Sequence, residues 1–103
     1  MNKCMFVGTV RRDPVRLGEK GVAFSLACLD GYKKKDGDDS VTFINCVAWN
    51  DRVVGIIYNE VQAGSRVAIS TQANVRKIEK DGVTYYETQF KIDSIESLVT
   101  PTD

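Results

Sequence analysis

Histidine is absent from this sequence, which removes the commonest general base at neutral pH and the commonest zinc ligand together. Net charge is absent too, because 14 Lys and Arg balance 14 Asp and Glu. Nucleic-acid-binding domains are often strongly basic, so any such role must rest on where the charges sit. No run of eighteen apolar residues occurs, and the opening MNKCMFVGTV has neither an apolar leader segment nor a small-residue cleavage site; a soluble, cytoplasmic protein is the expectation. Cysteine is scarce: Cys4, Cys28 and Cys46 are an odd, widely spaced set, each in an apolar run and none in a CxxC pair. They read as reduced core residues, with no metal and no cofactor. What remains is a chain of 103 residues, 43% hydrophobic, enough for one core and too short for two ordinary domains.

The pattern of that apolar material is mostly two-fold. Val22–Leu29 (VAFSLACL) and Thr42–Trp49 (TFINCVAW) are short, rich in β-branched and aromatic residues, and bounded by Gly, Asp and Asn; they read as strands. Lys3–Arg12, Arg66–Lys77 and Thr84–Ile95 have the same character, giving five strands, the last two joined through a turn at EKDG. Gly8 in mid-strand suggests a bulge or sharp bend. One segment departs from this: Val53, Val54, Ile57, Tyr58 and Val61 fall on one face of a helix, with Asn50 or Asp51 to cap it and Gly64 to end it. Three strands, a helix and two strands is the order of the OB-fold, an all-β, five-stranded Greek-key barrel whose second and third strands commonly present the ligand face. Residues 1–99 form this domain, and 100–103 a short C-terminal end.

Parity separates core from surface. Ile44, Cys46 and Ala48 share one face of the third strand, so Phe43, Asn45, Val47 and Trp49 share the other. At about 3.3 Å per residue the two large aromatics stand roughly 20 Å apart, enough to hold different nucleotides. In the fifth strand Tyr86, Thr88, Phe90 and Ile92 have the inward parity, leaving Tyr85 outside. Single-stranded nucleic acid needs flat surfaces for bases and cations that track phosphates. Here they are interleaved: Tyr32 precedes Lys33, Lys34 and Lys35 in a loop, Arg76, Lys77 and Lys80 flank the last hairpin with Tyr85 beyond its tip, and Arg11, Arg12 and Arg16 close the first strand. Each also admits a plainer role. The lysine loop, followed by Asp36, Asp38 and Asp39, can be simply solvated; Arg11 and Arg12 can be a charged strand end; Phe43 and Trp49 can pack in a subunit interface; Tyr85 can brace its hairpin.

MNKCMFVGTVRRDPVR, with its Asn, basic residue, apolar strand, Gly and R-D-P-x-x-R segment, resembles the start of the bacterial single-stranded-DNA-binding proteins (SSB). FINCVAW is similar to that family's third strand, and AGSRVAI to the K-G-S-x-V start of its fourth; the likeness runs collinearly over nearly the whole chain. It implies stacking roles for Tyr32, Phe43 and Trp49, and phosphate contacts from Lys3, Lys35, Arg76 and Lys77. The family's further stacking Trp falls on Ile78, so that platform is lost or passes to Tyr85. Two expected lysines fall on Asp51 and Ala63, with Arg52 placed to compensate for the first. Family members commonly continue into a flexible linker and an acidic tip, whereas this sequence stops at LVTPTD; a trimmed chain or a tailless phage, plasmid or competence-type variant is expected.

The function this implies is coating and protection of single-stranded DNA during replication, recombination or repair, by a homo-oligomer, a tetramer or else a dimer, in the cytoplasm or on the nucleoid, with replication or repair proteins as further partners and no membrane. The alternative is an adaptor resembling the primosomal replication protein N (PriB), a dimeric OB-fold in a helicase-loading complex. An enzyme is disfavoured, since no carboxylates cluster at metal-ligand spacing.

Overall fold

The computed structural model describes residues 1–99; the expected C-terminal end, 100–103, lies outside the described residues. The elements are β1 (Cys4–Val10), β2 (Val15–Leu17), β3 (Gly21–Lys33), β4 (Asp39–Ala48), α1 (Asp51–Glu60), β5 (Arg66–Lys80) and β6 (Val83–Val99). They form one sheet in the order β1-β5-β6-β4-β3-β2, and β1 also pairs with β3 at Thr9 and Val10, which closes the barrel. All pairings are antiparallel except β4 with β6, which run parallel where Cys46 and Val47 meet Phe90 and Lys91. This is the OB-fold arrangement expected, with the helix between β4 and β5.

Alternation builds the core. Phe24 and Leu26 of β3 lie beside Cys46 and Ile44 of β4 on one inner face, with Ala48 next along it, and Val67, Ile69 and Ile92 of β5 and β6 complete the core. Helix α1 covers one end of the barrel. Its start is fixed by Asn50, whose side-chain oxygen accepts from the backbone N–H groups of Arg52 (2.9 Å) and Val53 (3.4 Å), and Val53, Ile57 and Val61 are the residues it buries. Val54 is partly buried, and Tyr58, on the margin of the same stripe, is exposed.

The structure departs from the sequence reading in five places: it ends the helix at Glu60, with Val61 rather than Gly64 as its C-terminal cap. It adds a sixth strand, β2, three residues long and paired with Gly21–Ala23; between Pro14 and Gly18 it is too short to show a period. Strand β3 runs on to Lys33 through an irregularity after Leu29, so Tyr32 and Lys33 belong to a strand and the loop shrinks to its tip. No bulge occurs at Gly8, where β1 and β5 keep unbroken register. And Tyr86 and Thr88, expected inside, are exposed, because the β5–β6 hairpin continues past the barrel to a two-residue turn at Asp81 and Gly82 (φ 53° and 75°). Beyond the barrel there is no interior for inward parity to reach.

All three cysteines are free thiols. Burial pushes the Cys46 thiol up to about 12, with Cys28 adding to the shift, and burial, then Asp30, raises Cys28. A thiol held neutral is a poor nucleophile and metal ligand, and among the described residues no group of His, Cys, Asp or Glu is placed to hold a metal.

Two glycines let backbone and ring approach closely. A Cβ on Gly8 would lie 2.5 Å from the carbonyl oxygen of Ala27, at the point where β1 passes from β5 to β3. A Cβ on Gly21 would lie 2.5 Å from Cζ3 of Trp49, because the β3–β4 ladder, which pairs Val22 with Ala48, places Gly21 opposite Trp49. The two contacts differ in what can give. A backbone carbonyl in a closed barrel cannot move, so Gly8→Ala lowers stability by about 1–3 kcal/mol, the ordinary cost of overpacking. The half-exposed Trp49 ring can swing, so Gly21→Ala leaves the denaturation midpoint nearly unchanged and shifts Trp49 emission instead. Equal losses of stability in the two variants would contradict this distinction.

Candidate nucleic-acid interface

Outward-facing residues of β3 and β4 make the floor of a groove of about 540 Å³. Ala23, Ser25, Asn45 and Val47 form its base; Arg11, Arg12, Val15 and Leu17 form one wall, and Arg76, Glu87 and Gln89, at the root of the β5–β6 hairpin, form the other. The floor is low because its residues are small, and the walls stand because the chain after β1 and the long hairpin both rise above the sheet. Val47 has the outward parity yet is 7% exposed, being covered where β6 joins β4. Phe43, in the middle of β4, and Trp49, the residue after its end, are 55% and 48% exposed. Trp49 rests on Gly21, which leaves part of the ring open to solvent.

The cations sort into three places. Arg11 and Arg12 follow β1 directly; the Arg11 N–H donates to the Ser25 carbonyl at 3.0 Å, and its guanidinium carbon lies 4.3 Å from the Phe43 ring centroid. Arg76 lines the opposite wall. Arg16, on β2, turns its guanidinium to the carbonyl of Glu19. Lys77, next to Arg76, projects from the other face of the hairpin, as consecutive strand residues must, and its amine pairs with Glu79 at 3.4 Å. Lys80 shares the parity of Arg76, and Tyr85, opposite Ile78 in register, shares that face. So the last hairpin offers Arg76, Lys80 and Tyr85 on one side, Lys77 on the other.

The remaining candidates stand apart from the groove. Lys33 pairs with Asp39, and Lys34 and Lys35 cap the β3–β4 hairpin, closed by the Lys34 N–H donating to the Asp38 carbonyl (2.7 Å). Asp30 anchors the base of this hairpin: the hydroxyls of Ser40 and Thr42 donate to its carboxylate at 2.7 and 2.6 Å. These bonds, Ser40 first, hold the carboxyl below its usual range. Tyr32 is 64% exposed on the same arm. Lys3 precedes β1, where Asn2 and Ala73 exchange two hydrogen bonds (2.7 and 3.0 Å) that tie the N-terminus to β5. Arg52 lies in the first turn of α1, three residues beyond Trp49.

Sequence reasoning passed over Gln89, Glu87 and Gly21. The first two share the outward parity of Tyr85, a signal the sequence does contain. Nothing local marks Gly21, whose role exists only through the β3–β4 register.

The comparisons agree with this architecture. Residues 1–98 match the single-strand binding protein family. A single-stranded DNA-binding protein of Oceanobacillus iheyensis is 33% identical over 97% of this chain and 65% of its own length, and one of Bacillus cereus is 30% identical over 95% and 60%. The chain thus spans less than two thirds of these relatives. Among solved structures, the Plasmodium falciparum SSB complex with ssDNA superposes with a TM-score of 0.82 at 19% identity, covering 96% of each chain. The mitochondrial single-stranded DNA binding protein of S. cerevisiae, Rim1, gives 0.80 at 17% identity, covering 98% of each. The fold likeness extends from end to end, and with the family match over residues 1–98 it follows that the chain belongs to the single-strand binding protein family.

Proposed function

We propose that the protein binds single-stranded DNA along the outer face of β3 and β4, coating and protecting it during replication, recombination or repair, and does no chemistry on it. The observation that carries this reading is the groove itself. Two half-exposed aromatics flank its floor, and Arg11, Arg12 and Arg76 line its walls with no carboxylate within ion-pair distance among the described residues, Glu87 standing opposite Arg76 in register without closing on it. Bases stack on Phe43 and Trp49, with Tyr32 further along; phosphates meet the arginines, then Lys33, Lys34, Lys35, Lys80 and Arg52 where the strand leaves the groove. A strand that wraps around the hairpin meets Lys77 on its far face and Lys3 ahead of β1, and Tyr85 takes the place of the aromatic that Ile78 lacks. Family membership supports the reading, as does the single-stranded DNA named for the Plasmodium structure. No helix among the described residues is long and apolar enough to cross a membrane, and we place the protein in the cytoplasm.

We propose further that the protein is a homotetramer built as a pair of dimers. Strand β1 pairs with β5 from Cys4 to Thr9 but with β3 only at Thr9 and Val10, so most of one β1 edge is open to another strand. Beside it lies an apolar groove at Met5 and Val7, 77% and 49% exposed, where the buried Ser70 hydroxyl has no hydrogen-bond partner among the described residues.

Two measurements test these proposals. Titration with oligo(dT), followed by Trp49 fluorescence, gives a slope of log K against log salt of about −2 to −4 per protomer, from roughly 0.7 per phosphate neutralised. Trp49→Ala weakens binding by roughly 1–3 kcal/mol, tenfold to a hundredfold, without unfolding, since the ring lies opposite the core face of β4. A slope near zero, or equal affinity for duplex DNA, removes the reading. In sedimentation, tetramers are expected; a monomer at all concentrations, or a dimer that goes no further, rules out the tetramer.

A further inference from the structure

We infer that Arg11 is a displaceable cap on Phe43: in the free protein its guanidinium covers the ring face that a base takes in the complex, and on binding it moves to a phosphate. The inference rests on the reading of this face as the single-strand interface. Phe43 is 55% exposed, yet the exposed ring is not bare, since the Arg11 guanidinium carbon stands 4.3 Å from its centroid. That separation is a single stacking layer. A base between the two would need about twice the distance, because aromatic partners stack within roughly 4.5–7 Å of one another. Base and guanidinium therefore compete for one site.

The surroundings decide what moves. The Arg11 backbone is fixed, its N–H donating to the Ser25 carbonyl at 3.0 Å, so only the side chain can leave. It has no carboxylate partner among the described residues to hold it elsewhere, and it already lines the groove that the phosphates would follow. Trp49 is built differently: its ring lies on Gly21 and carries no cation from the described residues. The two aromatics of β4 are thus unequal platforms, one open and one capped, and stacking on Phe43 carries a penalty that stacking on Trp49 does not.

Arg11→Ala separates the two roles of the guanidinium through salt dependence. Loss of a phosphate contact makes the slope of log K against log salt shallower by about 0.7, and extrapolation to about 1 M salt removes the counterion contribution. At that intercept the variant binds oligo(dT) about two- to fivefold more tightly than the unchanged protein, the fold-change equivalent of an exposed cation–π contact. The two lines cross. In a Phe43→Leu background the intercept gain disappears while the slope change remains. Arg11 is exposed, so the variant folds, and its melting curve checks that it has. An unchanged or weaker intercept for Arg11→Ala overturns the cap, as does a gain that persists without Phe43. Failure of the unchanged protein to bind oligo(dT) overturns the interface itself, and the cap with it.

Discussion

The register of β3 on β4 runs without interruption from Val22 opposite Ala48 to Leu29 opposite Val41, and both surfaces of this protein depend on it. Inward, it stacks Phe24 and Leu26 on Cys46 and Ile44, the centre of the core. Outward, it sets Gly21 beneath Trp49, Ser25 beside Asn45 and Ala27 beside Phe43. A slip of one residue would turn every one of these side chains to the wrong face. The inward half secures the outward half: burial of Leu26, Ile44 and Cys46 fixes the register, and the register positions residues that contribute little to folding themselves. That is how a small barrel carries half-exposed aromatics on its surface without them collapsing inward.

Charge is handled the same way, by placement rather than amount. The net charge is zero, and a uniform mixture of signs would give no field along any path. Instead Arg11, Arg12 and Arg76 line the two walls of one groove, while acidic residues such as Asp36, Asp38 and Asp39 lie in and beside the β3–β4 turn. Glu79 is spent on Lys77, on the far face of the hairpin. Glu87 and Asp13 are the exceptions, carboxylates that line the groove, and Asp13 accepts from the Ala63 N–H at 2.8 Å.

Much of this was legible in the sequence where burial is periodic. The alternation through Phe43, Ile44, Asn45 and Cys46 identified the core face of β4 because both a filled interior and an open exterior exist there. The spacing of Val53, Ile57 and Val61 located the helix for the same reason. The misreadings share a cause: Tyr86 has inward parity but sits on a hairpin arm with nothing inside it, and Val47 has outward parity but is covered by the junction with β6. Strand β2 is too short for any period, and exists because β3 offers it an edge. Gly8 marked a close approach of strands rather than a bulge, a distinction that requires knowing which strand passes over it. The split between Arg76 and Lys77, which the sequence reading grouped in one basic cluster, is a consequence of period two once the strand is known to run through both.

The proposed binding surface is one face of the barrel and not another. Backbone-amide chemical-shift mapping during titration with a short oligo(dT) tests this residue by residue without altering the protein. The largest changes are expected at Ser25, Asn45, Arg76, Gln89 and the Trp49 indole, a continuous path across β3, β4 and the hairpin root. Changes confined instead to Met5, Val7, Ser70 and Ile95, with the Trp49 indole unmoved, would place the ligand on the opposite side of the barrel and contradict it.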